Sequence, residues 1–231
     1  MKFHLDRDVL NDAVSWATRT LPQRPAMPIL QGVRIVAEDG ELKFSTFDYE
    51  VSAHISVEAE VDEPGEVLVQ GKMLSEIVRA LPHKTVSVSH EGPKVEILCG
   101  SSRFALATLP VAEYPVLPEM PPVVGTIDSG TFARAIAQVS IAASKDDVVP
   151  LLTGVKVTID GEKVMMAATD RYRLAVREFT WNPQNPSSEL SALVRSRTLT
   201  EVARSLAGGN VEIALSEGES ANLIGFESSG R

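Results

Sequence analysis

The stretch Pro28-Ile-Leu-Gln-Gly-Val33 returns 122 residues later as Pro150-Leu-Leu-Thr-Gly-Val155. The sequence on both sides repeats at the same spacing: Leu5-Asp6 corresponds to Ile127-Asp128, and Phe47-Asp48 corresponds to Thr169-Asp170. Farther along, residues 72–81 match residues 197–206 at a spacing of 125. Similarity that keeps its order over so long a distance indicates an internal duplication. The chain therefore contains two copies of one domain.

A proline-rich segment separates the copies. Five of the 14 prolines lie between residues 110 and 122. Proline fixes its own backbone angle and lacks an amide donor, so such a run neither continues a helix nor sits inside a sheet. We predict a first domain over residues 1–120 and a second over residues 121–231.

Each copy alternates between two apolar periods. Residues 51–61 alternate as a half-buried strand does, whereas Leu74, Ile77, Val78 and Leu81 have helical spacing. Each copy is predicted to contain two rounds of strand, helix and three strands. The predicted fold class is α+β, with antiparallel sheets covered by two helices. The second copy has no counterpart of the strand over residues 104–109, so we expect it to be incomplete at its C-terminus, with an open sheet edge.

Composition excludes several functions. The 231 residues are 44% hydrophobic and 23% charged, as in globular proteins, and carry a net charge of -9. Nonspecific nucleic-acid binding by the whole surface is disfavoured, so contact with DNA would require local positive charge. No apolar run is long enough to span a bilayer. We expect a cytoplasmic protein that does not contact membranes.

Sequence motifs for catalysis are missing. The chain has no phosphate-binding loop, dinucleotide-binding loop or serine nucleophile elbow. Its four histidines lack metal-binding helical spacing, and its one cysteine, Cys99, is predicted to be a buried inert thiol. We expect a protein that is not an enzyme, with no metal site and no cofactor.

The predicted helices are more basic than the rest of the chain. Over residues 7–19, 72–81, 129–143 and 195–206 they carry eight basic and four acidic residues, against the net charge of -9 overall. Both second helices carry the same polar pattern: Lys72, Ser75, Glu76 and Arg79 in one, and Arg197, Thr200, Glu201 and Arg204 in the other. An ordinary solvated face with ion pairs such as Lys72 to Glu76 remains the alternative.

A second candidate site is the tract over residues 169–176. Tyr172 and Arg173, placed beside Leu152 and Leu174, would form an apolar peptide anchor with a charged rim. The alternative is a simple turn capped by Asp170, with solvated arginines.

Several motifs resemble the bacterial DNA polymerase III beta subunit, the replicative sliding clamp, and the resemblance covers the whole chain. They are Met1-Lys2-Phe3, Arg24-Pro-x-x-Pro28, Ser102-Arg103-Phe104-x-Leu106-x-Thr108-Leu109-Pro110 and Ala168-Thr169-Asp170-x-x-Arg173-Leu174-Ala175. The family fold has three copies of a DNA-clamp domain per chain, and two chains form a ring around duplex DNA. The resemblance implies that the end of domain two and all of domain three lie outside this sequence.

The resemblance also implies a function and its residues. The chain would belong to a processivity factor that encircles double-stranded DNA and binds peptides of the replicative polymerase and of clamp-loader subunits; the full-length form would be a ring-shaped homodimer. The peptide-binding residues would be Leu152, Thr169, Arg171, Tyr172, Arg173 and Leu174. The DNA-binding residues would be Arg24, Lys72, Arg79, Arg134, Arg197 and Arg204. Phe104 and Leu106 would lie at the dimer interface. The alternative is a non-enzymatic peptide-binding or structural module that does not encircle DNA.

Overall fold

The computed structural model describes residues 1–22, 24–206, 208–216 and 223–231. The chain divides into two compact units: Met1–Pro118 with Gly230–Arg231 form unit 1, and Glu119–Ser229 form unit 2. No helix within the described residues is long and apolar enough to cross a membrane.

Unit 1 follows the predicted order of strands and helices, with one strand more than predicted between its two helices. Its elements are β1 (Lys2–Asp6), α1 (Arg7–Ala17), β2 (Gly32–Glu38), β3 (Glu41–Phe47), β4 (Ser52–Glu58), β5 (Glu60–Glu63), β6 (Gly65–Gln70), α2 (Gly71–Ala80), β7 (Thr85–Glu91), β8 (Lys94–Cys99) and β9 (Ser102–Leu109). The strands form one antiparallel sheet in the order β4-β3-β2-β6-β9-β8-β7-β1-β5. The apolar faces of both helices pack into a core that includes Phe3, Phe44 and Leu106.

Within the described residues, unit 2 repeats the order of unit 1 from β1 through β8. Its elements are β10 (Val123–Asp128), α3 (Ser129–Ser140), β11 (Gly154–Asp160), β12 (Lys163–Thr169), β13 (Leu174–Thr180), β14 (Asn182–Pro183), β15 (Glu189–Arg195), α4 (Ser196–Ser205), β16 (Asn210–Leu215) and β17 (Ile224–Glu227). Its described strands form two four-stranded antiparallel sheets, β14-β10-β16-β17 and β13-β12-β11-β15. The core beneath α3 and α4 includes Phe132, Ile136 and Leu199. The α+β prediction is confirmed for both units.

The first helix of each unit begins at an equivalent aspartate. The Asp6 carboxylate accepts a hydrogen bond from the Asp8 amide at 2.7 Å, and that of Asp128 accepts one from the Thr131 amide at 2.8 Å. These side chains satisfy amides that have no partner within the helix. The backbone hydrogen bond from Thr131 is also the main reason why the pKa of Asp128 is lowered. A local sequence signal thus fixes the same strand-to-helix transition twice.

The single strand predicted over residues 51–61 is wrong. The chain leaves the β3 ladder at Ala59, whose amide donates to the Gly40 carbonyl at 2.9 Å. Beyond that point β5 pairs with β1, with Phe3 opposite Val61. Alternation of side chains continues through the break, so the sequence pattern alone did not reveal the change of partner.

The segment after β9 is anchored on unit 1. The Tyr114 hydroxyl oxygen accepts a hydrogen bond from the Phe47 amide at 2.8 Å and lies 3.3 Å from the Gly32 carbonyl, to which it donates. Tyr114 is buried, and this burial raises the pKa of its phenol. The start of the predicted linker is therefore part of unit 1.

Candidate functional site

Unit 2 carries a cavity of about 510 Å³ between two loops. One loop is residues 170–173, between β12 and β13, and the other is residues 143–149, after α3; Leu152 completes the wall. Four of the six predicted peptide-binding residues line the cavity: Leu152, Arg171, Tyr172 and Arg173. The structure thus brings together residues that lie about twenty positions apart in the sequence.

The Asp170 carboxylate shapes the first of these loops. Its Oδ1 accepts hydrogen bonds from the amides of Tyr172 at 3.1 Å and Arg173 at 3.0 Å, and its Oδ2 accepts one from Arg173 Nε at 2.9 Å. Desolvation acts to raise the pKa of Asp170, but these hydrogen bonds outweigh it and hold the pKa below its usual range. Asp170 therefore does cap a turn, and the same contacts orient Arg173.

Thr169 and Leu174 flank the cavity without lining it. The Thr169 hydroxyl donates to the Arg173 carbonyl at 2.8 Å and accepts from the Arg171 amide at 3.2 Å, so it closes the loop. Leu174 begins β13 with 68% of its surface exposed, and Tyr172 is 92% exposed. Within this predicted site, Thr169 therefore acts on the loop backbone, whereas Leu174 and Tyr172 offer apolar surface.

Arg171 has a backbone φ of 81°. This left-handed region disfavours side chains with a Cβ atom and is occupied mainly by glycine. The strained residue lines the cavity, where its side chain is accessible from the open side. Strain of this kind persists only where neighbouring contacts fix the backbone, and the hydrogen bonds to Asp170 and Thr169 supply such contacts here.

The second loop was not among the residues predicted for this site, yet its Ser144, Lys145 and Asp146 line the cavity. Val148 also lines it and is 78% exposed. The signal in the sequence was the apolar pair Val148-Val149 directly after Asp146 and Asp147.

The predicted DNA-binding residues are all exposed. Lys72 and Arg79 lie on α2, Arg134 on α3, Arg197 and Arg204 on α4, and Arg24 in the loop between α1 and β2. On α2 the charged positions lie opposite Leu74 and Val78, which are buried. The same division recurs on α4, where Leu199 is buried. Each second helix thus presents its cations to solvent.

Two details of these helix faces differ from the sequence prediction. Ser75 is buried, so it belongs to the core side of α2 rather than to its polar face. Among the described residues Lys72 forms no ion pair with Glu76, whereas Arg204 Nη1 lies 3.2 Å from Glu201 Oε1. The solvated-face alternative predicts ion pairs on both helices. Among the described residues, such a pair is present on α4, and the predicted Lys72 to Glu76 pair on α2 is not.

Arg7 has a structural role that the sequence did not reveal. Its Nη2 donates to the Arg79 carbonyl at 2.8 Å, and its Nη1 donates to Asp8 Oδ1 at 2.9 Å. The start of α1 is thereby tied to the last turn of α2, where an unpaired carbonyl attracts a cation. The hydrogen bond from Arg7 is also the main reason why the pKa of Asp8 is lowered.

The two residues predicted for a dimer interface lie on β9. Leu106 is 1% exposed and belongs to the core of unit 1, and Phe104 is half-buried against that core. The outward side chains on this strand are those of Arg103, Ala105 and Ala107. Because β9 pairs with β6 only through Thr108 and Leu109, its other side is free over residues 102–107. Any contact made through β9 would use this part of the backbone edge and the outward residues, with Leu106 supporting the strand from beneath.

Among the described residues no group of three or more histidine, cysteine, aspartate or glutamate side chains could hold a metal ion. Cys99 is buried, as predicted, and its thiol donates to the Pro82 carbonyl at 3.2 Å.

Comparison with known proteins identifies the family. Residues 1–118 match the N-terminal domain of the DNA polymerase III beta subunit, and residues 126–230 match its central domain. The chain is 53% identical to the beta sliding clamp of Micrococcus luteus over 232 residues, covering all of this chain and 74% of that protein. It is 53% identical to the beta sliding clamp of Streptomyces coelicolor over 233 residues, covering all of this chain and 62% of that protein.

A solved structure agrees with this assignment. The crystal structure of the DNA polymerase sliding clamp from Bacillus subtilis superposes with a TM-score of 0.92 at 26% identity, covering all of this chain and 62% of that one. The chain thus spans less than two thirds of the length of some of the relatives it matches. The family is one of processivity factors without a catalytic site, as predicted. This chain belongs to the DNA polymerase III beta subunit family, the bacterial beta sliding clamps.

Proposed function

We propose that this chain is the DNA-facing and peptide-binding part of a replicative sliding clamp, which tethers a polymerase to duplex DNA in the bacterial cytoplasm. The observation that carries the proposal is the repeated basic face: Lys72 and Arg79 on α2 recur as Arg197 and Arg204 on α4, in a chain of net charge -9. Positive charge concentrated at equivalent positions of the two copies suits binding of a polyanion such as DNA.

The charge distribution also suits sliding. Phosphate contacts supply affinity that does not depend on base sequence, and the complex moves along DNA without breaking base-specific contacts. An acidic surface elsewhere disfavours binding of DNA outside the basic faces. In the proposed full-length form, two chains close into a ring, and the edge of β9 with Phe104 takes part in the closure.

The cavity of unit 2 is the proposed site for a peptide of a polymerase or clamp-loader subunit. Tyr172, Leu174 and Val148 offer exposed apolar surface at its rim, and Arg171 and Lys145 offer positive charge. Replacing Arg173 and Leu174 by alanine should weaken a short polymerase-derived peptide by about 1 to 3 kcal/mol, the usual scale for an interface anchor.

The alternative is a peptide-binding or structural module that does not encircle DNA. The acidic net charge favours this alternative. It predicts that reversing the helix cations weakens DNA binding no more than reversing other exposed cations. The two functions therefore differ in whether DNA binding depends on the cations of the helices or on net charge alone.

A charge-reversal experiment separates them. Lys72, Arg79, Arg197 and Arg204 are changed to glutamate, and a matched control reverses four exposed cations on strands instead: Lys43, Lys94, Lys163 and Arg177. Both variants have the same net charge. Binding of the 231-residue chain to a labelled duplex is then measured over a series of low salt concentrations.

The parent chain should bind weakly, with a dissociation constant on the order of 10⁻⁴ to 10⁻⁶ M that rises steeply with salt. The helix variant should lose binding and the strand variant should retain most of it. Equal losses in the two variants would show that only net charge matters and would refute a DNA-facing role for the helices. Retained peptide binding in the helix variant would then support the alternative function.

A further inference from the structure

A cluster of charged side chains joins the end of α2 to the start of α1. His83, in the loop between α2 and β7, places its Nδ1 2.9 Å from Asp8 Oδ1 and 3.1 Å from Asp8 Oδ2. The same carboxylate accepts a hydrogen bond from Arg7, which also reaches the Arg79 carbonyl. Asp8 is therefore held between a guanidinium group, which is always charged, and an imidazole ring, which is charged only when protonated.

This cluster lies on the solvent side of the two helices. The side chains of Asp8 and His83 are 61% and 75% exposed. Leu10 on α1 and Val78 on α2 are buried in the core, so the apolar faces of both helices point toward the sheet. Arg79, one of the proposed DNA-binding residues, is exposed on the last turn of α2. His83 therefore belongs to the same surface as a cation that is proposed to face DNA.

The charged and titratable groups around His83 come from all the elements beside it. β1 and α1 contribute Asp6, Arg7 and Asp8, α2 contributes Arg79, the loop contributes Lys84, and β8 contributes the Cys99 thiol, which donates to the Pro82 carbonyl at 3.2 Å. Three cations and two carboxylates give a net charge of +1, which becomes +2 when His83 is protonated.

The change in this charge falls near neutral pH. Hydrogen bonds from Arg7 and then from His83 lower the pKa of Asp8, so the carboxylate stays ionised there. Histidine is the member of this set whose ordinary charge change falls between about pH 5 and 8. Protonation of one exposed side chain therefore doubles the positive charge of the cluster.

Unit 2 makes the equivalent connection without charged side chains. At the spacings of the repeat, Ser129, Gly130 and Gly208 correspond to Arg7, Asp8 and His83. The Gly208 amide donates to Ser129 Oγ at 3.2 Å, and the Ser129 amide donates to the Gly209 carbonyl at 3.0 Å. The fold therefore joins two such helices without an ion pair, so the contact between His83 and Asp8 is not required to build it.

We propose that His83 is a further, proton-dependent DNA-binding residue of unit 1, and that Asp8 is the acid whose charge it offsets; the inference rests on the proposed function. With His83 neutral, Asp8 repels the phosphates of a duplex and only Arg7 offsets it. With His83 protonated, the exposed imidazolium attracts a phosphate oxygen. DNA affinity through this surface therefore rises as the pH falls below neutral, and the dependence on salt becomes steeper.

The experiment measures binding of the intact 231-residue chain to a labelled duplex at about pH 5.5 and about pH 8, over a series of low salt concentrations. His83→Gln keeps a hydrogen-bonding side chain that takes no charge. The matched control, His54→Gln, removes an exposed histidine from β4 instead. Asp8→Asn removes the acid and leaves the shape of the side chain unchanged.

At about pH 5.5 the parent should bind about two- to fivefold more tightly than His83→Gln, the scale of one exposed charge interaction, and at about pH 8 the two should bind equally. The slope of log affinity against log salt should be steeper by about 0.9 in the parent at the lower pH, as for one further phosphate contact. His54→Gln should follow the parent. Asp8→Asn should bind more tightly than the parent at about pH 8 by a similar factor.

Three outcomes would overturn this inference alone. Equal affinity of the parent and His83→Gln at both pH values would show that no charge at this position reaches DNA. An equal loss in His54→Gln would show that only net charge matters, and unchanged affinity of Asp8→Asn would show that this acid does not oppose binding. A parent chain that does not bind DNA at either pH would overturn the proposed function as well, before any variant is compared.

Discussion

Replacing Arg171 by glycine should stabilise unit 2, although it removes a side chain from the cavity. Arg171 has a φ of 81°, and a residue with a Cβ atom in the left-handed region costs about 1 to 2 kcal/mol. Glycine removes that cost but loses more backbone entropy on folding, which offsets about 0.5 to 1 kcal/mol. The net gain in the free energy of unfolding should be about 0.5 to 1 kcal/mol.

The matched control is Arg171→Ala. Alanine removes the same guanidinium group but keeps the Cβ atom, so the strain persists and no gain is expected. Both variants should bind a polymerase-derived peptide more weakly than the parent does, because each loses the cation at the rim of the cavity. Only the glycine variant should therefore combine a higher free energy of unfolding with weaker peptide binding.

Urea unfolding followed by tryptophan fluorescence measures the effect. The chain has two tryptophans, and Trp181 lies in the core of unit 2, so a Trp16→Phe background makes the signal specific for this unit. With an m-value of about 1.5 kcal/mol per molar urea, the glycine variant should shift the midpoint upward by about 0.5 M. Identical midpoints for the glycine and alanine variants would refute the assignment of strain to Arg171.

Two further predictions concern single polar groups. Tyr114→Phe removes the acceptor for the Phe47 amide and should lower the stability of unit 1 by about 1 to 2 kcal/mol, measured by urea unfolding in a Trp181→Phe background; an unchanged midpoint would contradict it. Since burial raises the pKa of Tyr114, the contribution of Tyr114 to the stability of unit 1 should be fully present below about pH 10 and be lost as the pH rises further. Asp170 has a lowered pKa, so the order it gives the loop should be present above about pH 4 and lost as the pH falls further. The amide chemical shifts of Tyr172 and Arg173 should report this transition. A transition that persists in Asp170→Asn would arise from another titrating group and would contradict the prediction.

The sequence alone determined the repeated architecture and the chemistry of the helix faces. Alternation over two residues and recurrence over three to four are local properties, so they predict strands and helices without knowledge of their partners. The same periodicity places Lys72 and Arg79 opposite Leu74 and Val78 on α2. Asp6 and Asp128 similarly mark helix starts, because a cap acts on amides two or three residues away.

Only the tertiary structure decided which distant segments meet. The loop over residues 143–149 reaches the loop over residues 170–173 because the intervening hairpin of β11 and β12 returns the chain, and no local pattern encodes that proximity. The change of partner at Ala59, the inward position of Leu106 and the φ of Arg171 likewise depend on register and on contacts made across the fold. Side-chain period specifies which face of a strand is apolar, but the backbone pairing that sets its neighbours is a long-range property, and it determines where a cavity or an open edge forms.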